Sequence, residues 1–316
     1  LKNIESNTDS ISLLLQSFCY DNETNPGKCE ELLVQSANMK NTFAMVTLGS
    51  YYRTCAEAND NETQILLFGK AFRCFSQAIE NFNVLGYYSI AIMFYENEIF
   101  VNETPNETLY LEFMEKAASF NIVNAYCHLG KYYREKTVQN SNIFIPECLY
   151  WYKMASDYGH KDSSFMIAEI YMNDIYRTQN REKAIEYYKI AAKQLSTRAM
   201  IQLGVIYLNG IDVDVNVDVA IDWYLKVFKY KNKKNYTNIG INPATQLGFI
   251  FLSTEFGVRN ETLAIMWLLR AGDDPVAQDK LDAFLDNKVN AKHVLKNLIQ
   301  HNSEQKNELA MANEKI

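Results

Sequence analysis

The sequence predicts an all-α fold: a right-handed α-solenoid of about six helix hairpins, closed at both ends by capping helices. Three observations carry this. A pattern of small, apolar and aromatic residues recurs at intervals of roughly 36 to 44 residues, a solenoid period. Only 12 Gly and 5 Pro interrupt the 316 residues, too few for a turn-rich β-sandwich. And 48% of the residues are hydrophobic, with 21 Tyr and 17 Phe, which suits a long packed core.

Each element follows from that pattern. A first helix, Ile11 to Cys19, is expected to cap the apolar edge of the stack. The run Glu31 to Ala37 reads as a first helix of the second type, here called B. The A helices carry a small residue, then an apolar–small pair four positions on, then an aromatic three further. They read Ala44…Leu48-Gly49…Tyr52, Gly86…Ile90-Ala91…Phe94 and Ala125…Leu129-Gly130…Tyr133. They continue as Ser163…Ile167-Ala168…Tyr171, Ala199…Leu203-Gly204…Tyr207 and Leu247-Gly248…Phe251, the last with its small residue Ala244 displaced by one. Between them lie B helices with an aromatic pair and then a small pair. Examples are Trp151-Tyr152…Ala155-Ser156, Ala184…Tyr187-Tyr188…Ala191-Ala192 and Ala220…Trp223-Tyr224. Looser copies are Cys74-Phe75…Ala78, Phe113-Met114…Ala117-Ala118 and Trp267-Leu268…Ala271-Gly272.

Spacings of three and four put the marked residues on one helical face. Small residues let a neighbouring helix approach, and aromatics fill the gaps. The aromatics are therefore assigned to core packing. Beyond Gly272 the pattern stops. Leu281, Phe284 and Leu285 suggest one capping helix, Val294, Leu295 and Leu298 another, and the chain from Ser303 is polar. The expected organisation is a cap over 1–28, a repeat solenoid over 29–272, and capping helices with a polar tail over 273–316.

Composition narrows the function. A formal net charge of −7 lacks the basic footprint that phosphates require, so no nucleic-acid partner is expected. The longest nearly uncharged apolar stretch, Val84 to Tyr95, falls short of the about 20 residues that a bilayer span needs, so no span is expected in this chain. It opens at Leu1 rather than Met, which reads as a processed product or a fragment.

Chemistry-bearing motifs are few. The run Asp212 to Asp218 imitates a calcium loop, but Val217 and Trp223 stand where an EF-hand needs Gly and Glu. It reads instead as the entry to a B helix, with Asp218 as N-cap. The basic cluster Lys226, Lys229, Lys231, Lys233 and Lys234 reads as a solvated loop between repeats. His128, His160, His293 and His301 are isolated, the first two near helix starts or turns. No P-loop, dinucleotide fingerprint or zinc-protease motif occurs. Neither a cofactor, a metal nor a catalytic residue is expected, so the chain reads as a non-enzyme.

Six sequons stand at Asn22, Asn61, Asn102, Asn106, Asn235 and Asn260. In the repeat register Asn61, Asn102, Asn106 and Asn260 fall in A–B loops, Asn235 between repeats, and Asn22 before the first B helix. Exposed loops are where glycans attach. The same Asn residues are also N-cap candidates for B helices. Of six cysteines, Cys19 and Cys29 flank a short loop holding Pro26 and Gly27, which makes a bridge between them plausible. Cys127 and Cys148 sit on hairpin ends that point apart.

The order small…Leu-Gly…Tyr, loop, Ala…Trp-Tyr…Ala-Ala resembles the Sel-one-like repeat (SLR) family, relatives of tetratricopeptide repeats. The cleanest copy runs from Ala199 to Tyr224, with Gly210 at the loop glycine, and the resemblance covers about residues 29 to 272. Tetratricopeptide repeats keep a constant length, whereas these copies vary in their A–B loops. The resemblance implies an adaptor that binds protein partners on its concave face. Together with the sequons it is similar to the luminal adaptor of the ER-associated degradation ubiquitin ligase. Glu31 to Ser36 also resembles the opening of the yeast form's repeats. The partners so implied are a membrane ubiquitin ligase and misfolded glycoproteins, in the endoplasmic reticulum lumen or outside the cell. Two alternatives stay open. One is a cytosolic SLR scaffold activating an enzyme such as chitin synthase. The other is a secreted SLR ligand-binding protein, although such proteins carry a cysteine pair in every repeat.

Overall fold

The recurring motifs become helices at the expected places. The computed structural model describes residues 9–18, 26–96, 98, 106–139, 143–173, 180–230 and 241–286. Among these residues the structure holds fifteen α-helices and no strand. The first unit, residues 1–160, contains α1 (Ser10–Ser17), α2 (Pro26–Asn38), α3 (Thr42–Glu57), α4 (Asn61–Glu80), α5 (Leu85–Tyr95), α6 (Glu107–Ser119), α7 (Val123–Gln139) and α8 (Ile145–Asp157). The second, residues 161–316, contains α9 (Lys161–Met172), α10 (Arg181–Lys193), α11 (Thr197–Asn209), α12 (Val217–Tyr230), α13 (Pro243–Leu252), α14 (Glu261–Arg270) and α15 (Pro275–Asp286). Within each unit every helix packs on the next in sequence, so both are stacks of antiparallel hairpins. Each has its own apolar core. The boundary between them falls where a B helix hands over to the next A helix.

The small residue of the A motif is where each hairpin closes. A Cβ built on Gly49 would lie 2.5 Å from the Phe75 ring, one on Gly130 2.6 Å from Tyr152, and one on Gly204 2.5 Å from Tyr224. On Gly248 it would meet Leu268 at 2.6 Å. These partners are the second residues of the B-helix pairs, and the three rings are buried. Glycine here serves close approach between helices rather than backbone freedom. In the remaining hairpins Ala91 and Met114, and Ala168 and Tyr188, stand at the corresponding motif positions, and all four are buried.

The small pair of the B motif has a different cause. Five B helices end in the same turn, with a left-handed residue four positions past the first small residue: Lys40, Phe82, Asn121, Gly159 and Leu195. In each, the following N–H donates back to the first small residue. The bonds are Asn41 to Ser36 (3.2 Å), Asn83 to Ala78 (2.8 Å), Ile122 to Ala117 (3.4 Å), His160 to Ala155 (3.0 Å) and Ser196 to Ala191 (2.9 Å). This is the six-to-one bond of a Schellman C-cap. The acceptors are fully buried. Phe82 holds φ +65° while 94% exposed, an unusual load for a bulky residue.

Some local expectations are corrected. The first helix spans Ser10–Ser17 and is capped by Asp9, which accepts from Ile11 and Ser12 at 2.9 Å. Asp218 does not cap α12. It lies inside the first turn, and Asn216 one residue before the helix accepts from Val219 at 3.0 Å. Likewise α4 is capped by Asp60, leaving Asn61 as its first helical residue. In both cases an acceptor nearer the chain's entry took the cap. His128 lies in mid-α7 rather than at a start. Leu281, Phe284 and Leu285 lie on α15 as expected, while Val294, Leu295, Leu298 and the tail from Ser303 lie outside the described residues.

Candidate functional site

A partly enclosed cavity lies in the first unit, where the ends of α5 and α7 meet the start of α6. It has a volume of about 170 Å³ and is lined by Phe94, Tyr95, Glu107, Tyr110, Tyr132, Glu135 and Lys136. The two A helices and the B helix between them each supply one aromatic wall. The buried Tyr110 ring stands 5.1 Å from Tyr95 and 5.4 Å from Tyr132, centroid to centroid. Its hydroxyl donates to the His128 carbonyl at 3.3 Å.

The carboxylates are tied to the outer two rings. Tyr95 donates to Glu135 at 2.9 Å, and Tyr132 to Glu107 at 3.3 Å. Lys136 pairs with Glu107 and rests 5.5 Å over the Tyr132 ring. Lys131 stands 3.9 Å from Glu135 and 5.2 Å over Tyr95. The Lys136 hydrogen bond holds Glu107 below its usual range. Burial, then Glu107, pushes Tyr132 up to about 12. Burial and the Glu135 hydrogen bond raise Tyr95. The site is therefore an aromatic box with two carboxylates at its rim and phenols that burial keeps protonated.

Beside it runs a second polar cluster. Arg53 of α3 grips the buried Glu98 with both Nε, at 2.6 Å, and Nη2, and reaches Glu96 at 2.7 Å. One guanidinium thus faces two carboxylates, and burial holds the Glu98 carboxyl above its ordinary range. His128 packs edge-on against Tyr88 at 5.6 Å and Tyr95 at 6.4 Å. Its Nδ1 is buried without a hydrogen-bond partner, and burial lowers its pKa. In the second unit Arg181 pairs with Asp212 at 3.0 Å beside broad, shallow depressions. Among the described residues no group of His, Cys, Asp or Glu could hold a metal ion, and no helix is long and apolar enough to cross a membrane.

Of the sequon residues, Asn61 and Asn260 are exposed and Asn106 is half-buried. Asn106 caps α6 through its Oδ1, accepting from Leu109 at 3.0 Å, and Asn260 caps α14, accepting from Leu263 at 3.1 Å. Asn22, Asn102 and Asn235 lie outside the described residues. Cys29 is a buried thiol, raised by burial and by the nearby Cys55 and Glu30. Its expected partner Cys19 lies outside the described residues. No disulfide forms among those described. Cys148 donates to the Gly130 carbonyl at 3.3 Å. Of the basic cluster, Lys226 sits 3.9 Å over the Trp223 ring, while Lys231, Lys233 and Lys234 are outside the described residues. The aspartate run 212–218 forms the bend into α12, with Asp212 committed to Arg181.

The aromatic box escaped the sequence reading because Tyr95 and Tyr132 sit one position from the marked core aromatics, Phe94 and Tyr133. That offset was the available signal: it turns a ring off the hairpin seam toward the neighbouring repeat.

Stacked hairpins with a small A-helix residue under a B-helix side chain, joined by Schellman turns, define an α-helical repeat protein. The chain carries four Sel1 repeats: the family model for the Sel1 repeat matches residues 123–160, 161–194, 197–226 and 246–274. These are the hairpins α7–α8, α9–α10, α11–α12 and α13–α14. Among solved structures the chain is similar to a Sel1 repeat protein from Oxalobacter formigenes, with a TM-score of 0.57 and 18% identity over 82% of this chain and 98% of that one. It is also similar to a protective antigen of uropathogenic Escherichia coli displaying an SLR fold, with a TM-score of 0.55 and 19% identity. That match covers 90% of this chain and spans 66% of the antigen's. No curated protein matches in sequence. At these identities the likeness establishes the fold. Sel1-repeat proteins generally serve as protein-interaction scaffolds.

Proposed function

We propose that this chain is a non-catalytic protein-interaction scaffold that works as a luminal adaptor in ER quality control and ER-associated degradation. Its partners would be a membrane ubiquitin ligase and misfolded glycoproteins, engaged on the concave face of the repeats. The scaffold part is supported by the fold, and by carboxylates committed to phenols and lysines around the box rather than poised as acid and base. The raised pKa values of the Cys29, Cys74 and Cys148 thiols point the same way, since a nucleophilic cysteine needs a lowered one.

The observation that carries the luminal part is the placement of the described sequons at the starts of B helices. Asn106 and Asn260 cap through Oδ1, whereas a glycan bonds to Nδ2. Capping and glycosylation are therefore compatible on one side chain. A second reading, a cytosolic scaffold activating an enzyme such as chitin synthase, is favoured by the buried thiols of Cys74 and Cys148. Burial pushes Cys74 up to about 11 and Cys148 up to about 12, the behaviour of inert core thiols. Endoglycosidase treatment of protein made in a eukaryotic secretory system separates the two. A mobility shift, reduced by Asn260→Gln and Asn61→Gln together, is expected. No shift would overturn the luminal reading.

A further inference from the structure

We propose that the aromatic box between α5, α6 and α7 receives the ammonium-ended side chain of a partner lysine. This rests on the scaffold reading and names the chemistry by which a partner is held. Size excludes most other occupants. At about 170 Å³ the cavity is well below the roughly 300–1,000 Å³ of small-molecule pockets, and it suits one long side chain. Its inner walls, Phe94, Tyr110 and the flanks of Tyr95 and Tyr132, match an aliphatic stem. Its rim presents two carboxylates from different helices, Glu107 of α6 and Glu135 of α7.

The box already shows its preference for cations. Lys131 and Lys136 stand 5.2 and 5.5 Å over the Tyr95 and Tyr132 rings, inside the about 6 Å reach of a cation–π contact. Each also lies near a rim carboxylate. Lys136 is in effect a resident stand-in for the ligand. Glu107 is 54% and Lys136 24% exposed, so their pair is partly screened by solvent and Lys136 has a path to water. An incoming ammonium can exchange with it without stranding a buried charge. The Tyr95 and Tyr132 hydroxyls donate hydrogen bonds to the carboxylates and thereby orient them. A partner carboxylate would face Glu107 and Glu135 in the lining with Lys136 alone there to offset them, and a neutral apolar side chain would leave the carboxylates unused.

The test titrates Nα-acetyl-lysine methylamide into the full chain and follows the tyrosine ring signals by nuclear magnetic resonance. Nα-acetyl-norleucine methylamide and cadaverine serve as comparators, and circular dichroism verifies that each variant is folded. Saturable shifts of the Tyr95, Tyr110 and Tyr132 rings by the lysine probe are expected, with no saturation by norleucine. Glu135→Gln should weaken binding several-fold, and Lys136→Met, which removes the competitor, should tighten it several-fold. Equal binding of norleucine, or an affinity unmoved by Lys136→Met, would overturn the proposal. Cadaverine binding more tightly than the lysine probe would overturn the assignment to a partner protein. A failed titration with partners still captured by the chain would remove this pocket chemistry and leave the scaffold reading standing.

Discussion

Gly49 and Gly69 lie on the two helices of one hairpin, α3 and α4, yet substitution by alanine should move stability in opposite directions. A Cβ on Gly49 would come within 2.5 Å of the Phe75 Cε1 and 2.8 Å of its Cδ1 and Cζ. Phe75 is fully buried, so the ring or the helix must yield by about an ångström to regain ordinary contact. Overpacking of this kind costs about 3 kcal/mol at the upper end of its range. The alanine returns about 1 kcal/mol of helix propensity. The net expectation for Gly49→Ala is a loss of about 2 kcal/mol. A Cβ on Gly69 meets nothing within 4 Å on an exposed face, so Gly69→Ala should add roughly 0.5–1 kcal/mol. Urea unfolding followed by far-UV circular dichroism reads both. For m near about 2 kcal/mol/M, Gly49→Ala should lower the midpoint by about 1 M. The double variant Gly49→Ala, Phe75→Met copies the Ala91–Met114 pair of the next hairpin and should recover much of the loss. If Gly49→Ala stabilised as Gly69→Ala does, the hairpin seam would not be the close contact described.

Two further outcomes follow from buried polar groups. The Tyr224 hydroxyl is buried without a partner, whereas that of Tyr188 donates to Glu169. Tyr224→Phe should therefore be neutral or stabilising by up to about 1 kcal/mol, and Tyr188→Phe destabilising by about 1 kcal/mol, in thermal melts of the two variants. Burial lowers the His128 pKa, reinforced by Lys131 and His160 and opposed by Glu96 and Glu135. The unfolded chain then binds a proton near its ordinary value, about 6.5, before the folded chain does. Stability is fully present above that value and is lost as pH falls through the lowered one. His128→Gln should flatten this acid limb in a pH series of melts; an unchanged limb would show that His128 titrates alike in both states.

The helices were legible because the repeat imposes the same side-chain contacts many times. Leu-Gly and the aromatic pair mark the seam, and the spacing of Gly204 and Tyr224 places both on facing sides. What the pattern hid was backbone. The small pairs read as helix-approach residues, but Ser36, Ala78 and Ala191 also accept the closing bonds of Schellman turns. The left-handed residues there include Phe82 and Leu195, which no turn rule would select. Caps slipped by one or two residues, to Asp60 and Asn216, because several acceptors compete at each entry. The aromatic box was the least legible part. Tyr95 and Tyr132 differ from core rings only in register, and Glu98 is held by Arg53 from 45 positions earlier.

That the chain is a scaffold is tested most directly by purifying it with its partners from its native host, beside a folded Glu135→Gln, Tyr132→Leu variant. Mass spectrometry then quantifies what each retains and which asparagines carry glycan. A defined protein set held in near-stoichiometric amount by the wild type and depleted from the variant is the result expected here. Recovery of the wild-type chain alone would contradict it, whereas an identical set with both would remove only the role of the aromatic box.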